Sequence, residues 1–207
     1  WFLELLDYLT SDKANFIQSQ NDQTLFVREE DDGSLTKIII YVDDSLYYNS
    51  GENWEFYLKK LESELSARFH VDFQGQAHWF LSMRITRDAI GNLTIDQSRF
   101  VANIIKKHLG NLEHDFLVHT PLPTDFIATV EDCSETDVEV QRLSIEYRMD
   151  YPSVLGSLIY LMNTRPDISF AVIKLARFMK LPGRKHFQAI THLLHYLRCY
   201  KNYGIKY

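Results

Sequence analysis

The 207 residues, 45% hydrophobic and 24% charged, suffice for one domain or two small ones with a buried core. No apolar run approaches the roughly 18 residues a membrane helix needs, and two cysteines, Cys133 and Cys199, exclude a disulfide scaffold and a cysteine-rich zinc site and read as free thiols. The net charge of −6 hides an asymmetry: residues 165–207 hold nine Lys or Arg against Asp167 alone, and residues 1–164 hold 13 basic and 27 acidic residues, so the C-terminal end reads either as a surface for an anionic partner or as a helical subdomain with ordinary solvated lysines.

Residues 1–12 place apolar side chains at positions 2, 3, 5, 6 and 9, the spacing of a helix closed by Ser11-Asp12. Thr24–Arg28 and Leu35–Tyr41, rich in β-branched and aromatic residues, flank a turn containing Asp32-Gly33 and predict a hairpin. A third strand, Ser45–Tyr48, follows the pair Asp43-Asp44 directly, which puts both carboxylates at a tight turn between two hydrophobic strands. Trp54–Phe69 is amphipathic, with Asn53 as its expected N-cap. His78–Arg87 and Asn92–Asp96 bracket Ala89-Ile90-Gly91 as a further hairpin, and Ser98–Leu109 forms a helix stopped by Gly110. Residues 111–150 carry ten acids and two bases and read as a linker or surface excursion, partly mobile around Glu131–Glu139. Helices are expected over Ser153–Asn163, Asp167–Met179 and Arg184–Lys201, the second capped by Asp167.

The sharpest chemical feature is Tyr41-Val42-Asp43-Asp44, preceded by three isoleucines. Adjacent carboxylates repel, so such a pair favours a cation between them. Mg²⁺, which takes one or two carboxylates plus phosphate oxygens, resolves the conflict. A solvated Asp-Asp turn is the bland alternative. His192 and His195 are spaced i, i+3 on one helix, with only Cys199 near enough in sequence to add a ligand, and packing explains them better than a metal.

Ile40-Tyr41-Val42-Asp43-Asp44 resembles the polymerase motif of reverse transcriptases, and the chain as a whole resembles the copia-type branch found in the Pol polyprotein of LTR retrotransposons. Trp1 resembles the tryptophan that ends an upstream block of that family, and Trp79-Phe80-Leu81-Ser82-Met83-Arg84-Ile85 its Phe-Leu-Gly block. Ile95-Asp96-Gln97 and Thr120-Pro121 match further stations, Gly156-Ser157-Leu158 with Tyr160-Leu161 and Thr164-Arg165-Pro166-Asp167-Ile168 two more, and His186 with His195-Tyr196-Leu197-Arg198 the closing helix.

The resemblance implies an α+β fold: part of a polymerase palm with an antiparallel sheet and a primer-grip hairpin (residues 1–110), the acidic excursion (111–150), and an all-helical thumb or connection (151–207). It implies RNA-directed DNA polymerisation by two-metal nucleotidyl transfer with Mg²⁺ or Mn²⁺. Asp43 would be the metal ligand and Asp44 its weaker partner, with Tyr41 and Val42 lining the primer terminus and nascent base pair. Trp79, Phe80, Leu81 and Ser82 would grip the primer, Ser82 standing where the family usually has glycine. Arg165, Lys174, Arg177, Arg184, Lys185 and Arg198 would contact nucleic-acid backbone, with Arg165 equally readable as a structural partner of Asp167. The expected partners are a template–primer duplex of RNA or DNA, a dNTP, and the fingers, first palm and RNase H regions of the polyprotein, with no membrane. The expected setting is a cytoplasmic virus-like particle or the nucleus.

A two-metal site needs a third carboxylate, which the resemblance places on a strand before Trp1. The chain, beginning with Trp rather than Met and showing no secretory leader, then reads as a fragment that is inactive alone. The alternatives are a degenerate or repurposed relic that binds nucleic acid without catalysis, and a metal-binding turn in an unrelated α+β protein.

Overall fold

The computed structural model describes residues 2–110 and 117–207, and the chain forms two compact units, Trp1–Leu81 and Ser82–Tyr207. Trp1, and residues 111–116 of the acidic stretch, lie outside the described residues. The architecture is α+β as expected, with two small antiparallel sheets and seven α-helices among the described residues. The units divide at Leu81/Ser82.

The first unit opens with α1 (Phe2–Leu9) and continues through β1 (Ile17–Gln18), β2 (Leu25–Glu29), β3 (Leu35–Tyr41) and β4 (Asp44–Asn49), which lie in the sheet in that order. α2 (Trp54–Ser66) follows. Side chains alternate across a pleated strand, so Thr36, Ile38 and Ile40 of β3 face one way and are buried. Ile38 and Ile40 pack with Leu5 and Leu9 of α1, Phe26 of β2, and Leu61 and Leu65 of α2. Arg28, 6% exposed, ties the layers together: its Nε donates to Glu30 Oε1 at 2.9 Å and its Nη1 to Glu64 Oε2 at 2.8 Å and to the Ala14 carbonyl at 3.1 Å. Asn53 makes no capping hydrogen bond, contrary to expectation, because its amide donates instead to Asp32 Oδ2 at 3.2 Å.

The expected strand 78–87 is broken in two, β5 (Trp79–Phe80) and β6 (Met83–Arg87), by a turn at Leu81-Ser82. In the second unit β6 pairs antiparallel with β7 (Leu93–Asp96), and β7 with β8 (Gly204–Lys206). α3 (Ser98–His108) ends with Gly110 at φ 63°, the left-handed conformation glycine adopts without penalty.

Among the described residues of the acidic stretch a 3₁₀ turn (Val130–Asp132) and α4 (Asp137–Glu146), capped by the Thr136 hydroxyl, are formed. Then come α5 (Tyr151–Leu161), a 3₁₀ turn (Pro166–Ile168), α6 (Ser169–Ala176) and α7 (Arg184–Cys199). Val101 and Ile104 of α3, Leu155 and Leu158 of α5, Val172 and Leu175 of α6, and Ile190, Leu193 and Leu197 of α7 form one continuous core. Cys133 and Cys199 are partly buried and are not joined in a disulfide. No helix among the described residues is long and apolar enough to cross a membrane.

Candidate functional site

β3 and β4 are joined by the two residues Val42 and Asp43, with Tyr41 and Asp44 directly paired. Two-residue hairpin turns need positive φ at one or both central positions to match the strand twist. Val42 has φ 51°, and Asp43 is not among the positive-φ residues, the sign pattern of a type II′ turn. Glycine normally fills that first position. A β-branched residue there is an outlier, held at a cost of about 1–3 kcal/mol by its surroundings.

The surroundings that hold it are visible. β3 is pinned from below by buried Ile38 and Ile40, and β4 by Tyr47, whose hydroxyl donates to Glu62 Oε1 of α2 at 2.6 Å. Burial, then the neighbouring Glu62 carboxylate, push the Tyr47 phenol far above its ordinary value, so it stays a donor. β4 is thus tied to α2 at Tyr47, three residues along the strand from Asp44.

Tyr41, Val42, Asp43 and Asp44 are all exposed, Tyr41 to 55% and Val42 to 68%. Neither carboxylate accepts a hydrogen bond or forms an ion pair among the described residues. Asp44 shares its sheet face with Tyr41, Ile39 and Leu46, the face opposite the buried Ile38 and Ile40. Two unpartnered hard oxygen donors fit Mg²⁺ or Mn²⁺ in kind. They fall short in number, since no group of three His, Cys, Asp or Glu among the described residues could hold a metal. β4 is an edge strand, so its outer backbone groups are open to a further strand.

The second motif lies at Trp79–Ser82. Trp79 is 49% exposed, and Leu81 and Ser82 take φ 49° and 60°. Two successive positive φ values between short strands are the type I′ pattern, where glycine and asparagine are favoured. A glycine in place of Ser82 would therefore have a conformational reason.

The six basic residues expected at a nucleic-acid backbone do not form one free surface. Arg165 is a correction: it is 1% exposed, its Nε and Nη2 donate to the two oxygens of Asp167 at 2.9 and 2.7 Å, and its Nη1 donates to the Tyr200 carbonyl at 2.9 Å. It also lies over the rings of Tyr196 and Tyr203. Asp167 consequently sits in a 3₁₀ turn as a charge partner and not as a cap. Burial alone would raise its pKa, but the hydrogen bonds from Arg165 and Tyr196 outweigh that and hold it below the usual carboxylate range. Lys174 donates to the Phe126 carbonyl at 3.0 Å, Arg184 pairs with Glu146, and Lys185 with Asp132. Arg177 is exposed and Arg198 is partly buried in the last turn of α7. His192 Nε2 lies 3.0 Å from the Thr120 carbonyl, a packing role.

Sequence reasoning missed the carboxylates that cover Arg184 and Lys185. The opposed acidic and basic runs were the available signal, without any spacing to say which residues meet. It also missed the strain at Val42, although the count of two residues between Tyr41 and Asp44 implies it.

Among curated proteins the chain is 32% identical over 206 residues to the retrovirus-related Pol polyprotein from transposon RE1 of Arabidopsis thaliana, covering 99% of this chain and 13% of that protein. It is 26% identical over 200 residues to the retrovirus-related Pol polyprotein from transposon TNT 1-94 of Nicotiana tabacum, covering 96% of this chain and 14% of that one. A putative transposon Ty5-1 protein of Saccharomyces cerevisiae is 26% identical over 200 residues and is covered to 60%. The chain therefore spans about one-seventh of the length of the first two relatives. No family model and no solved structure matches it. Similar along nearly its whole length to proteins of this one kind, the chain is a Pol-polyprotein region of the copia-type retrotransposon family.

Proposed function

We propose that this region is the later palm and the thumb of an RNA-directed DNA polymerase, with Asp43 and Asp44 as two of three metal-binding carboxylates. The observation that carries the reading is the Val42-Asp43 turn: a strained two-residue reversal presents two unpartnered carboxylates at the exposed tip of a rigid hairpin. Backbone strain kept at an exposed tip is a pointer to function. The open edge of β4 supports it further, because a third carboxylate on an adjoining strand would sit beside Asp44.

In this reading Asp43 and Asp44 hold the divalent ions. Divalent ions held there would supply activation of the primer 3′-hydroxyl and charge neutralisation on the triphosphate. Tyr41 offers an exposed ring for the primer-terminal sugar and base, and Val42 fixes the tilt of the hairpin. Trp79–Ser82 steadies the primer strand. Arg177 and the cations of α7 bind duplex backbone by charge, without reading sequence.

The test is primer extension on an RNA template in Mg²⁺. The 207-residue chain alone is expected to be inactive. The same chain joined to the upstream Pol sequence of its own gene is expected to extend the primer, and Asp43→Asn to lower that rate at least about a thousandfold, as loss of a metal ligand removes several kcal/mol of charge stabilisation. Extension indifferent to Asp43→Asn, or no extension by the longer chain, would overturn the proposal. The second outcome favours a non-catalytic relic that binds nucleic acid, a reading for which serine at φ 60° in the Trp79–Ser82 turn speaks.

A further inference from the structure

We infer that the acidic segment from Val130 to Glu146 is a built-in cover over a polyanion-binding surface made by Lys180, Arg184 and Lys185, and that the surface takes the phosphodiester backbone of a nucleic acid once the cover lifts. The inference rests on the proposed nucleic-acid role of the C-terminal helices and adds a gate to it.

The three cations lie within six residues of one another, around the Leu181-Pro182-Gly183 loop that leads into α7. Lys180 is exposed and has no partner among the described residues. The other two are each occupied by a carboxylate from the acidic segment. Glu146 takes both ends of the Arg184 guanidinium, with Nη2 to Oε2 at 2.8 Å and Nη1 to Oε1. Both oxygens of Asp132 accept from Lys185 Nζ, at 3.2 and 3.3 Å. Backbone from the Thr129 N–H and charge from Lys185 hold the Asp132 carboxyl below its usual range, and Arg184 does the same to Glu146. Both therefore stay ionised at neutral pH.

The segment is fitted to this place. Ser134 donates through its backbone N–H to the Leu181 carbonyl at 3.0 Å and through its hydroxyl to the Pro182 carbonyl at 2.9 Å. A Cβ on Gly183 would stand 2.0 Å from the Asp132 carbonyl oxygen, so only glycine lets the segment lie so close.

The pairs themselves are poor glue. Arg184 and Lys185 are 52% and 45% exposed, and ion pairs so open to water and salt add little to stability. They are well suited to exchange, because a phosphate offers the same bidentate acceptor geometry as a carboxylate. The acidic segment thus stands where a backbone phosphate would stand. Duplex binding must displace it, so binding is held down at low nucleic-acid concentration.

The test is fluorescence anisotropy of the full 207-residue chain with a labelled RNA–DNA hybrid at about 50 mM salt. Asp132→Asn with Glu146→Gln frees both cations. We expect it to bind about five- to tenfold more tightly than the parent, with a salt slope steeper by about 1–2, since each phosphate contact contributes about 0.9. The control Glu131→Gln with Glu135→Gln removes the same charge away from the contacts and is expected to gain less than about twofold. Adding Arg184→Gln and Lys185→Gln to the uncovered variant should erase its gain. Glu146→Gln alone leaves Asp132 and the Ser134 clasp in place and should show an intermediate gain, which guards against misfolding of the double variant. Equal affinities of parent and uncovered variant, a gain matched by the control, a gain that survives loss of Arg184 and Lys185, or no binding by any form would each overturn the proposal. The first three outcomes overturn the gate alone and leave primer extension through Asp43 untouched, whereas no binding by any form also removes the duplex-binding role of α7, so the two failures are distinguishable.

Discussion

Replacing Arg165 with alanine tests most sharply whether this side chain serves the fold or a nucleic acid. Its guanidinium is 1% exposed and makes three hydrogen bonds to Asp167 and Tyr200. Removing one partner of a buried ion pair costs about 3–5 kcal/mol, because the other charge is left uncompensated. The Asp167 side chain is 30% exposed, so water takes over part of its solvation and the low end applies, about 3 kcal/mol. The Tyr200 carbonyl loses a donor, which adds about 1 kcal/mol or less. The sum, about 3–4 kcal/mol, corresponds to a melting temperature lowered by roughly 10–14 °C for a unit of this size. The helical far-ultraviolet signal should follow this transition. Asp167→Ala placed on Arg165→Ala should recover about 1–2 kcal/mol of the loss. The pair's contribution also has a pH window. Asp167 titrates below its unfolded value, so the stabilisation is complete above about pH 4 and disappears as pH falls through the folded value. A loss under about 1 kcal/mol for Arg165→Ala, together with weakened duplex binding, would refute the reasoning and restore the phosphate-contact role.

Three further outcomes are expected. Ser82→Gly relieves a positive φ of 60° and should stabilise its turn by about 0.5–1 kcal/mol, read from the urea midpoint; an unchanged or lower midpoint would count against a type I′ turn. Burial depresses the pKa of His108, His186 and His195, so the unfolded chain binds more protons below about pH 6.5 and stability should fall as pH drops from about 7 to 5. His186→Gln, whose amide oxygen can still accept from the Gly183 N–H, should flatten that slope, whereas a midpoint constant between these pH values would contradict it. Tyr47→Phe removes the hydrogen bond to Glu62 and should cost about 1.5–2 kcal/mol while loosening the Val42-Asp43 hairpin, seen as faster amide exchange in β4; unchanged exchange would mean that Tyr47 does not anchor it.

The elements legible in the sequence are those whose burial follows a period. β3 alternates in burial as its run of Thr and Ile predicts, and α2 buries Tyr57, Leu61 and Leu65 at helical spacing. Three features were not legible, each because tertiary partners override local signals. β1 and β8 are two and three residues long, too short to show a period, and exist only because β2 and β7 offer edges. α4 buries only Leu143 and shows exposed Val138 and Ile145, so its pattern is weak; the Thr136 cap, seen in hindsight, was its best signal. The expected cap at Asp167 failed because a buried arginine two residues earlier is the stronger claimant for a carboxylate. Of the candidate site, the Tyr41–Asp44 turn was readable from the count of residues between two hydrophobic strands. The state of the basic residues was not, since a lysine or arginine in a sequence does not announce which carboxylate it meets.

The central claim, that the Val42-Asp43 turn presents a divalent-cation site, is tested most directly by titrating Mn²⁺ into the ¹⁵N-labelled 207-residue chain. With two carboxylates and no third among the described residues, binding should be weak, and paramagnetic broadening should centre on the amides of Val42, Asp43, Asp44 and Ser45 and vanish in Asp43→Asn with Asp44→Asn. Broadening centred on the acidic turn at Glu29–Asp32, or broadening at Val42–Ser45 that survives the double substitution, would contradict it.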